Sequence, residues 1–236
     1  MDVQELDLRL DQLQHQLDHL PETAELAELS RTRATLLDQR RDAQIRVDDL
    51  SREQRKADAD VEQVKTRRRR DQERIDQGQV NSPKDLERMQ GEMVSLDRRI
   101  SDLEDAELEV MEQLEAAQAE LDRLSGELDE VDRRLAEAGA RRDDKAADVA
   151  HQQADVRARR RQAAEGLPED LMALYAKLRA QKGGIGAAAL RARRCGGCSL
   201  ELNAGDLGVI AKAPSDEVLR CEECSRILVR TSESGI

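Results

Sequence analysis

The four cysteines of the chain form two pairs, Cys195-Gly196-Gly197-Cys198 and Cys221-Glu222-Glu223-Cys224, with 22 residues between them. A two-residue gap lets both thiolates of a pair reach one metal from a tight knuckle, and a second knuckle completes a tetrahedron around Zn²⁺. Gly196 and Gly197 suit such a turn. An iron–sulfur cluster also accepts four cysteines, and paired thiols also serve redox chemistry. A thioredoxin-like site, however, needs a βαβ context that the flanking sequence lacks. Disulfides belong to exported chains, and the acidic start, Met1-Asp2-Val3-Gln4-Glu5-Leu6, does not read as a signal peptide. The reading taken is one structural zinc per chain on Cys195, Cys198, Cys221 and Cys224. With four protein ligands, no position stays open for water, which marks a structural and not a catalytic site.

Other residue sets carry weaker chemistry. His15 and His19 are four apart, the spacing of two helical metal ligands, and His151 falls near their level if the chain folds back on itself; solvated histidines are the expectation. Three arginine-rich runs stand out: Arg67-Arg68-Arg69-Arg70, Arg157-Ala158-Arg159-Arg160-Arg161 and Arg191-Ala192-Arg193-Arg194. Arg191, Arg193 and Arg194 precede the first knuckle, while Arg220 and Arg226 flank the second. Knuckles that meet at a metal would bring these five together as a surface for phosphate or for an acidic protein. Yet residues 167–236 hold ten basic and nine acidic side chains, so long-range attraction to phosphate is small. Gly183-Gly184-Ile185-Gly186 follows a helical stretch and is no dinucleotide fingerprint. No nucleophile, base and orienting group stand together, so an enzyme is not expected.

These residues need elements to position them, and the composition says which. Among 236 residues there is no Phe, no Trp and one Tyr, while 38% are charged and the net charge is −12. Without aromatics a thick core is not expected; long helices with a narrow apolar seam are. From Leu86 the apolar positions step three and four alternately through Met89, Met93, Leu96, Ile100, Leu103, Glu107, Val110, Leu114, Ala117, Leu121, Leu124, Leu128, Val131, Leu135 and Ala138. Only Glu107 is polar. A strict 3.5-residue repeat predicts a left-handed coiled coil. Val3 to Leu20 forms an earlier phase. After Pro21 the pattern resumes from Leu26 to Ile75 with Arg33, Arg40, Gln54, Arg68 and Asp71 in the seam, which predicts looser packing on that side.

Between the two seams lies Gly78-Gln79-Val80-Asn81-Ser82-Pro83. Gly78 reads as a C-cap, Ser82 as an N-cap and Pro83 as a first helical residue. The expected fold is therefore mostly α, a long antiparallel coiled-coil hairpin plus a small C-terminal β zinc ribbon. Each arm would run on the order of 110–120 Å. Folding about residue 80 sets Pro21 opposite Gly139, where a shared bend is expected. The predicted division is residues 1–165 for the hairpin, turning near 78–83, and 166–236 for a short helix followed by the Cys₄ ribbon. The helix has Pro168 in its first turn and ends before Gly183-Gly184. The predicted ribbon strands are Ala189-Leu190-Arg191, Leu200-Glu201-Leu202, Val218-Leu219-Arg220 and Ile227-Leu228-Val229.

The sequence resembles a bacterial family of C4-type zinc-ribbon proteins with an N-terminal coiled-coil hairpin, in an actinobacterial-like composition. The matching stretches are Leu103-Glu104-Asp105 through Leu108-Glu109-Val110-Met111-Glu112, Leu174-Tyr175 with Leu178-Arg179, the first knuckle, and Arg220-Cys221-Glu222-Glu223-Cys224-Ser225-Arg226-Ile227-Leu228. The resemblance implies zinc on the four cysteines and interaction rather than catalysis. Some relatives are linked to flagellar biogenesis, an alternative sigma factor and RNA binding. The expected function is a non-enzymatic adaptor in gene expression that binds protein, RNA or DNA; the alternative is a structural coiled-coil spacer or oligomerisation protein. The expected setting is cytoplasmic, as monomer or homodimer, with no membrane and no small-molecule substrate.

Overall fold

A computed structural model describes residues 1–80 and 82–236; Asn81 of the predicted turn lies outside the described residues. Among the described residues, five helices and four short strands follow in order. Helix α1 is Asp2–Asp18, α2 Pro21–Asp76, α3 Pro83–Ala164, α4 Glu169–Gln181 and α5 Ala204–Lys212. The strands are β1 Ala187–Arg191, β2 Arg194–Cys195, β3 Leu219–Arg220 and β4 Ile227–Val229. The chain divides into two compact units, residues 25–138 and residues 1–24 with 139–236.

The unit of residues 25–138 is the coiled coil the heptad predicts. Every seam position from Leu86 to Ala138 is buried or half-buried. Leu29 and Leu36 pack with Leu124, Leu128, Val131 and Ala138, and Val47 and Leu50 with Ala117 and Leu121. Two of the polar seam positions of α2 pair with α3: Arg33 Nε donates to Asp132 at 2.6 Å and Arg68 pairs with Asp97, while next to the seam Lys65 meets Glu104 at 2.6 Å. Of the predicted α2 seam, only Arg40 is exposed. The helix ends are capped as the sequence predicts. Gln79 N–H reaches Arg74 O and Gly78 N–H reaches Ile75 O, with Gly78 at φ 67°, the Schellman arrangement. Ser82 Oγ accepts from Asp85 N–H at 3.2 Å and donates to the Asp85 carboxylate at 2.8 Å.

In the other unit, α1 and the distal part of α3 continue the pairing. Leu13 packs against Val149 and Val156, flanked by Leu6, Leu10 and Leu17. The seam thus extends past its predicted end at Ala138. At the level of the expected bend, the chain leaves the helix at His19 and Leu20, while α3 stays helical through Gly139. A glycine within a helix costs only about 1 kcal/mol relative to Ala, which an 82-residue helix absorbs. Pro21 opens α2 as its first residue, where the missing N–H costs nothing, and nearby Glu22 meets Lys145.

At the base of this hairpin the polar side chains of α1 fix the ribbon in place. Gln4 is buried; its Oε1 accepts from Gly186 N–H at 2.7 Å and Ala187 N–H at 3.1 Å, and its Nε2 donates to Gly184 O at 2.9 Å. Asp7 accepts from Arg160 Nε at 2.5 Å and from Tyr175 Oη at 2.7 Å. Gly186 must be glycine, because a Cβ there would lie 2.7 Å from Tyr175 O. Helix α4 ends as predicted, with Gly183 at φ 67° and Gly184 N–H on Arg179 O.

The ribbon sheet has the order β2-β1-β4-β3; β1 and β4 are parallel, and the outer pairs are antiparallel. The predicted strand at residues 200–202 shrinks to one bridge between Glu201 and Arg194. The chain has to turn there: Asn203 caps α5 at once, its Oδ1 accepting from Asp206 N–H at 2.9 Å. Helix α5, unpredicted, places Leu207 and Ile210 in a core with Ala188, Leu190, Leu202, Leu219 and Leu228.

Candidate metal centre

Each knuckle is built on the same backbone plan. Ser199 N–H donates to Cys195 O and Ser225 N–H to Cys221 O, both at 2.8 Å. The two serines adopt positive φ, 67° and 63°. Gly197 N–H points at Cys195 Sγ at 3.4 Å. The two glycines serve close approach rather than an unusual φ. A Cβ on Gly196 would lie 3.0 Å from Ala189 O, and one on Gly197 would lie 2.6 Å from Arg226 Cδ. The Arg226 side chain cannot easily yield, because it donates to Ile185 O and Lys182 O at 2.9 Å each.

The knuckles meet. All four sulfur atoms lie within 4.8 Å of one another. Across the knuckles, Cys195 Sγ is 3.8 Å from Cys224 Sγ and Cys198 Sγ is 3.9 Å from Cys221 Sγ. A zinc tetrahedron with arms of about 2.3 Å has sulfur–sulfur edges of about 3.8 Å, so the cluster fits one structural Zn²⁺. The donor set also suits a cation once its thiols are ionised. Burial pushes the Cys195 and Cys221 thiols up, Cys221 to about 12. Burial acts on Cys224 too, but hydrogen bonds from the Arg226 backbone and side chain bring it down to about 7. Only a bound metal holds four such sulfurs as thiolates together.

The five arginines predicted as a partner surface are mostly engaged. Arg191 pairs with Glu233 at 3.2 Å and Arg194 with Glu201 at 3.7 Å. Arg220 Nε donates to Ser225 O at 3.1 Å, and Arg226 holds the two carbonyls already described. Among the described residues, Arg193 is the one of the five whose guanidinium has neither hydrogen bond nor ion pair. The run at Arg67–Arg69 pairs with Glu62, Asp71, Glu92 and Asp97. In the run at 157–161, Arg157 bonds Gln153 and Arg160 bonds Asp7. His15 and His19 are exposed, their ring centroids 4.0 Å apart, and His151 faces Asp155 at 3.6 Å. Among the described residues, the four cysteines are the one cluster able to hold a metal ion. Half-buried Glu107 adds to the carboxylates that raise the pKa of Lys65, whose largest cause is its hydrogen bond to Glu104. No helix is long and apolar enough to cross a membrane among the described residues.

Sequence reasoning missed Gln4 and Asp7 and gave Arg160 and Arg179 no role at this junction. Burial opposes ionisation of Asp7, but hydrogen bonds from Arg160 and Tyr175 outweigh it and hold the carboxyl below its usual range. Burial and the Asp7 hydrogen bond raise Tyr175. Arg179 bonds Asp11 at 2.5 Å. The available signal was the lone tyrosine on the buried side of α4, a hydroxyl that had to find a partner.

Known proteins share this architecture. Residues 3–183 match the CT398-like coiled coil hairpin domain, and residues 194–228 match the C4-type zinc ribbon domain. A solved protein from Mycobacterium smegmatis is 31% identical with a TM-score of 0.80, over 98% of this chain and 95% of that one. CT398 from Chlamydia trachomatis is 17% identical with a TM-score of 0.64, over 97% and 94%, a likeness of fold. The uncharacterized proteins Rv2229c and MT2288 of Mycobacterium tuberculosis are 37% identical over 142 residues, 60% of this chain. The match spans 58% of the length of these curated relatives. Neither matching domain is that of an enzyme family. The long heptad hairpin and the Cys₄ knuckles thus converge on one assignment: the chain belongs to the CT398-like coiled-coil hairpin family and carries a C4-type zinc ribbon.

Proposed function

We propose that Cys195, Cys198, Cys221 and Cys224 ligate one zinc ion, and that the ribbon it folds is the partner-binding end of a non-enzymatic adaptor for a protein of gene expression. The observation that carries this reading is the closed thiol cluster. Four protein sulfurs enclose one metal position with no place for a substrate, so the metal's task is to hold a surface. The arginines favour a protein over a nucleic acid as partner. Two are paired at the surface with Glu233 and Glu201, and two are committed to backbone carbonyls. A phosphate backbone would have to break these pairs within a chain of net charge −12.

The test is direct binding of defined single- and double-stranded RNA and DNA at low salt, beside retrieval of partners by the tagged full chain with and without nuclease. The expected outcome is no measurable nucleic-acid affinity and a protein partner that survives nuclease. Nucleic-acid binding whose salt slope shallows in Arg193→Ala with Arg194→Ala would overturn the protein reading.

A further inference from the structure

A second surface of the same unit lies on the sheet rather than at the knuckles. Two adjoining hollows share Leu171, Ile227 and Val229. One extends past Pro168 to Val218 and Leu219, the other past Leu167 to Met172 and Val3. Together they make one groove with an apolar floor along β4, walled by α4. At its edges Leu167 is 40% and Val218 45% exposed, large apolar side chains that water would not select.

The rim is mainly acidic. Asp170, Asp216 and Glu217 line the first hollow and Asp2 the second. All four are exposed, and among the described residues none forms an ion pair. Among the described residues, the one cationic side chain in the lining, Arg230, is engaged by backbone: its guanidinium donates to Ile210 O at 3.0 Å, Ala213 O at 2.7 Å and Pro214 O at 2.5 Å. An apolar floor beneath a mainly carboxylate rim disfavours phosphate and anionic lipid alike. It complements a polypeptide whose apolar side chains are flanked by lysine or arginine.

We propose that this groove docks a basic amphipathic segment of a partner protein. The proposal rests on the protein-adaptor reading and names a surface separate from the ribbon arginines. The segment lays its apolar side chains on Leu171, Ile227 and Val229. Its cations meet Asp170, Asp216 and Glu217.

The test measures binding of the full-length zinc-loaded chain to a labelled synthetic peptide of Leu-Lys-Lys-Leu repeats, by fluorescence anisotropy. A Gly-for-Leu peptide and a Glu-for-Lys peptide serve as comparisons. The Leu/Lys peptide is expected to bind and the other two to bind at least about tenfold more weakly. Asp216→Lys with Glu217→Lys should weaken binding by about tenfold or more, and so should Leu167→Ser with Val218→Ser, at unchanged zinc content and helical signal. The coil reversal Glu112→Lys with Glu115→Lys, in the other unit, should change it by less than about twofold. Absence of binding, equal binding of the Gly/Lys peptide, or an equal effect of the coil reversal would overturn the proposal. If the groove variants still retrieve the natural partner while Arg193→Ala with Arg194→Ala does not, the groove falls and the adaptor reading stands.

Discussion

Asp7 illustrates how one side chain secures a junction. It is 4% exposed and accepts hydrogen bonds from Arg160 on α3 and Tyr175 on α4. Replacing it with Asn removes the charge that these donors face, and the expected loss is about 2–3 kcal/mol at neutral pH. The pH dependence has a fixed sign. Asp7 is held below its ordinary value, so its stabilisation is complete above the unfolded carboxylate value of about 3.9 and drains away as pH falls through the lower folded value. The gap between wild type and Asp7→Asn should therefore close in acid. Tyr175 is the only aromatic of the chain outside the histidines, which makes its near-ultraviolet signal a local reporter. Thermal melting followed at that signal should show the difference; equal midpoints at neutral pH would mean that the Asp7 network does not hold the junction.

At the scale of elements, the coiled coil sorts its leucines by register. Leu121 is 8% and Leu108 56% exposed, though both lie on the same helix. Leu121→Asp places a charge in a desolvated seam and should cost about 3 kcal/mol or more. Leu108→Asp should stay within about 0.5 kcal/mol of wild type. Urea unfolding monitored by helical circular dichroism separates the two, and similar effects would show the seam to be misplaced. The ion pairs along the helix surface, such as Arg123 with Glu120 and Glu127, add only a few tenths of a kcal/mol each. They support solubility and register more than stability.

For the whole molecule the expectation is uneven dependence on metal. The unit of residues 25–138 contains no cysteine and owes its burial to the seam. The ribbon core, by contrast, includes Cys195 and Cys221 among few large side chains, so its fold and its metal are linked. Elemental analysis should give close to one zinc per chain, and none in Cys221→Ser with Cys224→Ser. Chelation should abolish ribbon structure while most of the helical signal persists, since three helices alone cover 56, 82 and 17 residues. A collapse of the helical signal on chelation would show that the coil itself needs the metal.

The hairpin, its caps and the Cys₄ cluster were legible in the sequence because each is written in short-range spacing. A 3.5-residue period fixes which side chains face a partner helix, Gly78 and Ser82 mark a turn within a few residues, and a two-residue gap sets a knuckle. What only the tertiary structure decided lacks any local period. Gln4 finds Gly186, and Asp7 finds Arg160 and Tyr175, across more than 150 residues. Strand β1 lies parallel to β4 rather than within a simple hairpin, and the arginines that look free in the sequence are met by Glu201, Glu233 and backbone carbonyls. Helix α5 was within local reach through Asn203 and Asp206, yet its short apolar stretch did not distinguish helix from strand until Leu207 and Ile210 had a core to enter. Periodic burial is a property of one segment and can be read from it. A hydrogen bond or an ion pair between distant segments depends on where both are carried, and that is settled only when the chain has folded.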